Sequence, residues 1–379
     1  MKQIEYFGRG SINQLNPILS GFHAKKVLLV TGKSSYDQYP IRSAVETNLK
    51  DFITIRYCDF DVNPKAEDLI KGARLVADFN PDTIVAIGGG SVLDTAKILS
   101  FLPAHDEATV IDVIKGVIKV ADRKKRLILI PTTSGSGSEA THFAVAYIDK
   151  IKYSIVSTCL LPDAVILDPD FTDTLSKELT AITVFDAFCH AIESFWSVGA
   201  TQESKQYAKE SIEIIIGVFD SLINAPSAVD RDKMMRASFL AGKAINISKT
   251  TGPHALSYAL TQYFEIPHGL AAMLLLPAFF ELNANINRVN LNSAIDFDEY
   301  ANRIDELRVL MGVASSDGAV TKLNNMILSA GLRCGLRSYG INHLSDIKFL
   351  MKNINIERFS NNPVMLNKAQ LLLLLKSID

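Results

Sequence analysis

The stretch TIVAIGGGSVLDTAKILS, residues 83–100, decides the fold class of this 379-residue chain. Its first five residues are Thr83 and four apolar residues, a pattern typical of a strand buried in a parallel sheet. Gly88–Gly90 then make a tight turn, and Val92–Ser100 has the length of a helix. Such a turn lets backbone N–H groups approach a diphosphate, whose charge the helix dipole favours. The segment therefore predicts an α/β fold with a phosphate-binding turn, and a purely structural turn is the alternative.

The same alternation of strand and helix patterns continues around this segment. Three further apolar runs have the length of strands: residues 26–32, 52–57 and 126–130. Segments of helical length separate the first three strands: Ser35–Leu49 and Ala66–Phe79. After about Ser176 the strand pattern ends and long helical patterns follow: Thr180–Phe195, Ser204–Leu222 and Asp232–Ile247. We predict an α/β domain with a Rossmann-like parallel sheet at residues 1–175 and an all-α domain at residues 176–379.

The composition excludes several classes of protein. Apolar residues make up 48% and charged residues 21% of the chain, as in an ordinary globular protein. The net charge is 39 − 41 = −2 with no long basic stripe, so we expect neither nucleic acid nor membrane as a partner. No stretch approaches the ~20 apolar residues of a membrane span, and no signal-peptide pattern is present. The four cysteines form no CxxC pair, which favours reduced thiols in a cytoplasmic protein.

A second loop with ligand-binding character follows the strand at residues 126–130. Residues Pro131–Thr141 read PTTSGSGSEAT and are rich in hydroxyl groups and glycine. Ligands of parallel sheets bind at the carboxyl ends of the strands, where both loops are predicted. The two loops together favour a nucleotide site, and a solvated linker of similar composition is the alternative.

A candidate metal site lies in the helical half of the chain. Asp186 and His190 are four residues apart on a predicted helix, so their side chains share one face. His254 and His268 follow downstream. One carboxylate and three imidazoles suit Fe(II), Zn(II) or a similar ion. The alternative is a set of hydrogen-bonded core histidines, because a chain with seven histidines can contain this spacing by chance.

Together these motifs resemble those of the iron-containing (group III) alcohol dehydrogenases. The family patterns are a GGGSxxDxxK turn, a PTTxGTGSE loop, a DAxxHAIE helix and a downstream His…PHG pair. This chain has the first at Gly88–Lys97 and the second at Pro131–Glu139, with Ser136 where threonine is usual. It has the third at Asp186–Glu193, followed by the two histidines. The match runs from about residue 5 to residue 375 and implies a dehydroquinate synthase-like architecture: a dinucleotide-binding domain, a helical metal-binding domain and a cleft between them.

The resemblance also implies which residues form the sites. The implied metal ligands are Asp186, His190, His254 and His268. The implied cofactor contacts are Asn63, Gly89, Gly90, Ser91, Asp94, Thr132, Ser136, Thr141 and Lys152. The implied reaction is hydride transfer between NADPH or NADH and a short aldehyde that a divalent metal polarises, with Fe(II) expected and Zn(II) as the alternative. We further expect a homodimer or a larger homo-oligomer.

The end of the first predicted strand indicates the cofactor preference. Family members that require NADH often have an aspartate there, which repels a 2′-phosphate. This chain has Gly32, followed by Lys33, Ser34 and Ser35, whose side chains can donate to a phosphate. We therefore expect NADPH to be used, with NADH as a further option.

The segment around the third metal ligand indicates the substrate. Residues 247–258 resemble the phosphonoacetaldehyde reductase (2-hydroxyethylphosphonate dehydrogenase) branch of the family. In this branch Lys249, Thr250 and Thr251 would contact an anionic group of the aldehyde, since an ammonium and hydroxyls bind phosphonates well. The alternative is that Lys249 is a solvated lysine at a helix end. Tyr258 stands where some members have a histidine, and it either donates a proton through water or lines the pocket.

Three other functions remain open at this stage. A generic short-chain primary alcohol or glycerol-type dehydrogenase would share the same motifs. A dehydroquinate synthase-like lyase would need many lysines and arginines near the metal, whereas only Lys243 and Lys249 lie near these motifs. A non-enzymatic binding protein would not need complete metal and cofactor motifs.

Overall fold

The computed structural model describes residues 3–33, 35–37, 41–103, 106–149 and 151–378. The chain divides into two compact units, Met1–Thr174 and Leu175–Asp379. The first unit is built on a parallel sheet, and the second is helical. None of the described helices combines the length and the apolar character needed to cross a lipid bilayer. The four cysteines are free thiols, as predicted.

The first unit alternates strands and helices. Its strands are β1 (Ile4–Phe7), β2 (Lys26–Thr31), β3 (Ile53–Tyr57), β4 (Thr83–Gly88), β5 (Arg126–Pro131), β6 (Phe143–Ile148), β7 (Ile151–Val156) and β8 (Ala164–Leu167). Its helices are α1 (Leu15–Gly21), α2 (Ile41–Leu49), α3 (Ala66–Phe79), α4 (Gly90–Phe101) and α5 (Glu107–Ile114). Within the described residues, six strands form a parallel sheet in the order β1-β8-β5-β4-β2-β3, and β6 and β7 form an antiparallel hairpin.

The sheet brings the two predicted ligand loops to one edge. All six residues of β4 are buried, as expected for a strand inside a parallel sheet. The register pairs Gly88 of β4 with Pro131 of β5, so the two strands end side by side. The glycine turn and the hydroxyl-rich loop therefore begin next to each other.

The predicted parallel sheet is confirmed, because β2, β3, β4 and β5 each lie within one residue of a predicted strand. The predicted helix at Ser35–Leu49 is wrong at its beginning. Ser35–Asp37 form a bend and a turn, residues 38–40 lie outside the described residues, and α2 begins at Ile41. Pro40 in the sequence fits this boundary, since proline is tolerated at the start of a helix and not in its interior.

The elements of the second unit are mainly α-helices. They are α6 (Lys177–Trp196), α7 (Gln202–Asn224), α8 (Ala228–Ser248), α9 (Gly252–Phe264), α10 (His268–Ala284), α11 (Phe297–Leu310), α12 (Ser316–Ser329), α13 (Leu344–Lys352), α14 (Ile356–Ser360) and α15 (Lys368–Lys376). Polar side chains begin the long helices: Ser176 accepts a hydrogen bond from the Leu179 N–H, and Thr201 and Ser227 form capping boxes. The three predicted helical segments lie within α6, α7 and α8.

Helix α10 approaches α6 closely because residue 269 is glycine. A Cβ atom at Gly269 would overlap the backbone oxygen of Ile182 and would lie 2.9 Å from the Cβ of Asp186. The backbones of the two helices are therefore nearly in contact at the first turn of α10. This contact fixes the position of His268, the first residue of α10, relative to Asp186.

We predict that Gly269→Ala lowers the free energy of unfolding by about 1–3 kcal/mol, because the added methyl group forces α10 away from α6. Gly217→Ala is the matched control. Gly217 is an exposed residue of α7 with open space around its Cα, so alanine there should raise stability by about 0.5–1 kcal/mol. Urea unfolding of both variants measures the effect. Wild-type stability in Gly269→Ala would show that the close approach is not required.

Candidate functional site

Four candidate metal ligands lie together in the helical unit. Asp186 and His190 are one turn apart in α6, His254 lies in the first turn of α9, and His268 begins α10. The potential ligand atoms of Asp186, His190 and His254 all lie within 4.8 Å of one another. The Nε2 atom of His268 lies 3.9 Å from Oδ1 of Asp186, and 36% of its side chain is exposed. Asp186, His190 and His254 are thus buried, and His268 is the most exposed of the four.

The spacing of these atoms fits a bound metal ion. The Oδ1 atom of Asp186 lies 3.4 Å from Nε2 of His254 and 3.7 Å from Nε2 of His190. In a tetrahedral site with metal–ligand distances of about 2.1 Å, neighbouring ligand atoms are about 3.4 Å apart. One carboxylate and three imidazoles are also donors that Fe(II) and Zn(II) accept. These residues therefore fit the predicted ion.

The charges of the cluster are strongly coupled. Burial disfavours the ionised form of Asp186, but the nearby imidazoles, first that of His190, outweigh it and hold the pKa of the carboxyl well below its usual range. Burial also lowers the pKa of His254, but Glu193 and Asp186 outweigh it and raise the pKa to about 9. A metal ion must therefore displace a proton from this imidazole, so the two compete for the site.

Glu193 is bonded to the ring nitrogen of His254 that does not face the candidate metal position. This carboxylate is fully buried, and its Oε1 atom is hydrogen-bonded to Nδ1 of His254. Its Oε2 atom accepts hydrogen bonds from the N–H (2.7 Å) and the hydroxyl (2.9 Å) of Thr251. A carboxylate on Nδ1 leaves Nε2 of His254 directed at the metal position and increases its basicity. The sequence analysis assigned Glu193 no role, although its spacing after Asp186 and His190 places all three on one face of α6.

The structure corrects the predicted role of Thr251. Its hydroxyl donates to Glu193 and accepts a hydrogen bond of 3.0 Å from Nε1 of Trp196. The side chain is fully buried, so this hydroxyl does not reach a substrate. Thr251 instead connects α6 with the start of α9.

The ring of Tyr258 packs against the ring of His268. The two rings stack with centroids 5.5 Å apart and planes 7° apart. Burial raises the pKa of the Tyr258 hydroxyl. This geometry agrees with the pocket-lining role, and proton donation by Tyr258 stays a prediction.

Lys249 lies at the end of α8 and is half-buried. Its φ of 63° is in the left-handed region, which marks a sharp change of chain direction before His254. Its contact with a substrate stays a prediction.

The predicted cofactor loops contact each other in the first unit. A Cβ at Gly90 would lie 3.0 Å from Oγ of Ser136, and a Cβ at Gly89 would lie 3.6 Å from Oγ1 of Thr133. The Thr132 N–H donates to the Gly88 oxygen at 3.1 Å. These glycines leave the backbone at the start of α4 accessible, as a diphosphate site requires.

Three further predicted cofactor contacts lie beside these loops: Asn63, Ser91 and Asp94. The Asn63 N–H donates to the Ser91 hydroxyl at 3.0 Å, and Asn63 adopts the left-handed conformation that asparagine tolerates. Asp94 accepts hydrogen bonds from the Ser138 hydroxyl (2.6 Å) and the Val145 N–H (2.9 Å). Asp94 thus holds both the loop after β5 and the β6–β7 hairpin against α4.

Thr141 lies at the end of the hydroxyl-rich loop, and its contact with a cofactor stays a prediction. It is fully buried, and its hydroxyl accepts a hydrogen bond of 2.9 Å from Nζ of Lys97. Burial lowers the pKa of Lys97 to about 8 and raises the pKa of the nearby Glu139 to about 7. No local motif indicates this buried group, in which Lys97 of α4 is bonded to the end of the hydroxyl-rich loop.

Lys152 lies in β7, opposite Tyr147 of β6. Burial raises the pKa of Asp94, and the positive charges of Lys97 and Lys152 act against this shift. Lys152 is thus electrostatically coupled to the cofactor loops, and its contact with a cofactor stays a prediction.

Two positively charged side chains, those of Lys33 and Arg56, lie near Gly32 at the end of β2. Arg56 donates to the Gly32 oxygen at 2.9 Å and pairs with Asp37 at 2.9 Å, while Lys33 pairs with Asp61 at 3.0 Å. The sequence analysis named Lys33 and missed Arg56, which precedes the last residue of β3. Ser34 lies outside the described residues. Both ion pairs are partly or largely exposed, so they can rearrange at little cost.

Comparison with known proteins identifies the family. Residues 3–169 match the family model for iron-containing alcohol dehydrogenase, and residues 180–378 match the C-terminal model of the Fe-containing alcohol dehydrogenase family. The NADPH-dependent butanol dehydrogenase of Clostridium saccharobutylicum is 32% identical over 286 residues, which are 74% of this chain and 72% of that protein. The sulfoacetaldehyde reductase of Bilophila wadsworthia is 29% identical over 384 residues, covering 98% of this chain and 96% of that protein.

A solved structure agrees with this assignment. The sulfoacetaldehyde reductase of Bifidobacterium kashiwanohense, crystallised in complex with NAD+, superposes with a TM-score of 0.87 at 26% identity. The superposition covers 99% of this chain and 96% of that one. The two family models together span nearly the whole chain, and the second contains the Asp186–His190–His254 cluster. The chain therefore belongs to the iron-containing alcohol dehydrogenases, a family of oxidoreductases that use a nicotinamide cofactor and an iron ion.

Proposed function

We propose that this protein is a metal-dependent aldehyde reductase that uses NADPH or NADH and acts on a short aldehyde with an anionic end. The observation that carries the reaction class is the cluster of Asp186, His190 and His254, with the more exposed His268 beside it. Its donor atoms have the types and the spacing that a catalytic divalent ion requires.

The first unit supports the cofactor assignment. The backbone of Gly89, Gly90 and Ser91 at the start of α4 offers N–H groups to a diphosphate, and the helix dipole favours its charge. Among the relatives, one is named for its dependence on NADPH and another was solved with NAD+. We therefore assign both cofactors, with the cations around Gly32 favouring NADPH.

Each group of the helical unit has a defined task in this proposal. When bound, the metal would polarise the aldehyde carbonyl while the nicotinamide supplies the hydride. Asp186 and the three histidines hold the ion, and Glu193 keeps the imidazole of His254 in the correct orientation. Tyr258 covers one side of His268 and so limits the access of water to the reacting carbonyl.

The substrate class rests on the polar residues next to the cluster and on two relatives. Lys249 and Thr250 precede His254 and offer an ammonium and a hydroxyl, which bind sulfonates and phosphonates well. Two relatives that match 96% or more of their own length are named sulfoacetaldehyde reductases. Phosphonoacetaldehyde and sulfoacetaldehyde share a short carbon chain and a tetrahedral anionic end. We take this shared chemistry as the substrate class.

We predict that His254→Ala and His268→Ala lose stoichiometric metal, because no other side chain can replace a missing ligand. Elemental analysis after loading with Fe(II) or Zn(II) and desalting measures the metal content. His343→Asn is the control, since His343 is an exposed residue at the start of α13 and asparagine is a good N-cap. Full metal content in both alanine variants would refute the ligand assignment.

We predict that Gly32→Asp lowers the ratio of kcat/KM for NADPH to that for NADH by about tenfold or more, because a carboxylate repels the 2′-phosphate and binds the ribose hydroxyls. Gly32→Asn is the matched control. It introduces the same Cβ next to Ser35 without a charge, and should leave the ratio within about threefold of the wild type. An unchanged ratio in Gly32→Asp would place the adenosine ribose elsewhere.

We predict that the wild-type enzyme prefers sulfoacetaldehyde or phosphonoacetaldehyde to uncharged propanal by at least about tenfold in kcat/KM. Lys249→Ala should weaken this preference, because the variant lacks one cation near the substrate. Steady-state assays of NADPH and NADH oxidation with metal-loaded enzyme measure both effects. Equal efficiency on all three aldehydes would leave a generic short-chain alcohol dehydrogenase.

A further inference from the structure

Two arginines, Arg42 and Arg56, converge on one carboxylate near the end of β2. The Oδ1 atom of Asp37 lies 2.9 Å from Nη1 of Arg56 and 3.6 Å from Nη1 of Arg42. Asp37 belongs to a turn between β2 and α2, and 45% of its side chain is exposed. Two guanidiniums around one oxyanion are a typical arrangement for binding a phosphate. Here a carboxylate of the chain itself takes the place of the anion.

The guanidinium of Arg56 is held in a fixed position by the end of β2. Its Nε atom donates to Oγ1 of Thr31 at 2.7 Å, and its Nη2 atom donates to the Gly32 oxygen at 2.9 Å. The guanidinium also lies over the ring of Tyr36, 4.6 Å from the ring centroid. These contacts occupy Nε and Nη2, while Nη1 is directed at the exposed carboxylate of Asp37. An anion can therefore be exchanged at Nη1 without releasing the rest of the side chain.

Arg56 lies near the glycine turn that is predicted to bind the diphosphate. The register pairs Thr31 of β2 with Ile87 of β4, so the chain leaves β2 at Gly32 beside the turn at the start of α4. β3, which carries Arg56, is the neighbour of β2 on its other side. Adjacent strands are about 4.8 Å apart, so the side chain is about two strand spacings from the turn. The ribose of adenosine joins a diphosphate to a 2′-phosphate over a similar span, so a cofactor bound at the turn can bring this group to the two arginines.

A cavity beside the two arginines offers space and positive charge for such a group. Its volume is about 400 Å³, and it lies between β3 and α2. Among the described residues, three cations and one carboxylate line it: Arg42, Lys50, Arg56 and Glu46. The carboxylate is paired with Nε of Arg42 at 2.7 Å, which leaves an excess of positive charge. The cavity therefore favours an anion.

Asp37 can give up its position to a phosphate at little cost. Its ion pair with Arg56 is partly exposed, and such pairs contribute little to stability. A phosphate monoester carries about two negative charges near neutral pH, whereas a carboxylate carries one. Its oxygens also accept parallel hydrogen bonds from a guanidinium. The exchange of the carboxylate for the phosphate is therefore favourable.

We propose that Arg56 and Arg42 bind the 2′-phosphate of NADPH, and that Asp37 occupies this position until the phosphate displaces it. This inference rests on the proposed NADPH- or NADH-dependent reduction and assigns the choice of cofactor to three side chains outside the glycine turn. NADH has a hydroxyl in place of the phosphate, so it leaves the pair of Asp37 and Arg56 intact. Arg56 therefore favours NADPH, and Asp37 opposes it.

The test measures the binding of NADPH and NADH by isothermal titration calorimetry, with metal-loaded enzyme and without aldehyde. The measured quantity is the ratio of the Kd for NADH to the Kd for NADPH, which should be at least about 10 in the wild type. Arg56→Met should lower this ratio by about tenfold, because the phosphate loses a guanidinium. Arg56→Lys should recover part of the loss, since it keeps the charge without the planar fork. Asp37→Asn should raise the ratio by about threefold or more, because the phosphate no longer competes with a carboxylate.

Arg126→Met is the matched control. Arg126 makes the same two kinds of contact at the amino end of β5: it lies 5.1 Å from the ring centroid of Phe22, and its Nη1 atom is 2.9 Å from Oδ1 of Asp163. Its loss should leave the ratio unchanged. The fragments 2′,5′-ADP and 5′-AMP, which differ in the 2′-phosphate alone, give a second measurement that should follow the same order. If Arg56→Met is poorly folded, Asp37→Asn still tests the exchange, because it removes no cation.

The outcomes separate this inference from the proposed function. If the wild type prefers NADPH and Arg56→Met keeps that preference, the role of Arg56 is wrong and the proposed function stands. Equal losses for both cofactors in Arg56→Met would show that Arg56 only supports the loop. An unchanged ratio in Asp37→Asn would overturn the exchange. A wild type that binds both cofactors equally would overturn this inference and leave the reductase, whereas one that binds neither would overturn the proposed function as well.

Discussion

The buried carboxylate of Glu193 organises the helical unit around the metal position. It accepts hydrogen bonds from the backbone and the hydroxyl of Thr251 and is bonded to His254, so it ties α6 to the start of α9. A buried carboxylate is stable only when its oxygens are fully bonded, and any movement of α9 would break these bonds. The position of His254 relative to Asp186 and His190 is therefore set before a metal ion arrives.

The candidate metal position is built by three helices of the second unit. Two ligands come from one turn of α6, and the others come from the first turns of α9 and α10. The segment around α14 is held to α9 by the Asn355 N–H, which donates to the Ala255 oxygen, and to the connection between α8 and α9 by the side chain of Asn361.

The sequence predicted the features that depend on local pattern. β4, the glycine turn and α4 follow from a continuous apolar run and three glycines, and Asp186 and His190 follow from helical spacing. β1 and β8 were missed, because each has only four residues and pairs with a strand far away in the chain. The role of Glu193 depends on which side chains meet across helices, and the sequence pattern contains no record of those contacts.

The fastening of α9 by residues 355–362 has a consequence for biosynthesis. During translation α6 and α9 emerge first, and α10 can then dock on α6 through Gly269. The connection between α8 and α9 gains the bonds from Asn361 and Asn362 only about 90 residues later in the chain. The candidate metal ligands of a nascent chain can therefore come together and bind an ion before residues 355–362 have bonded to the beginning of α9. Metal loading can precede the completion of the enzyme on the ribosome.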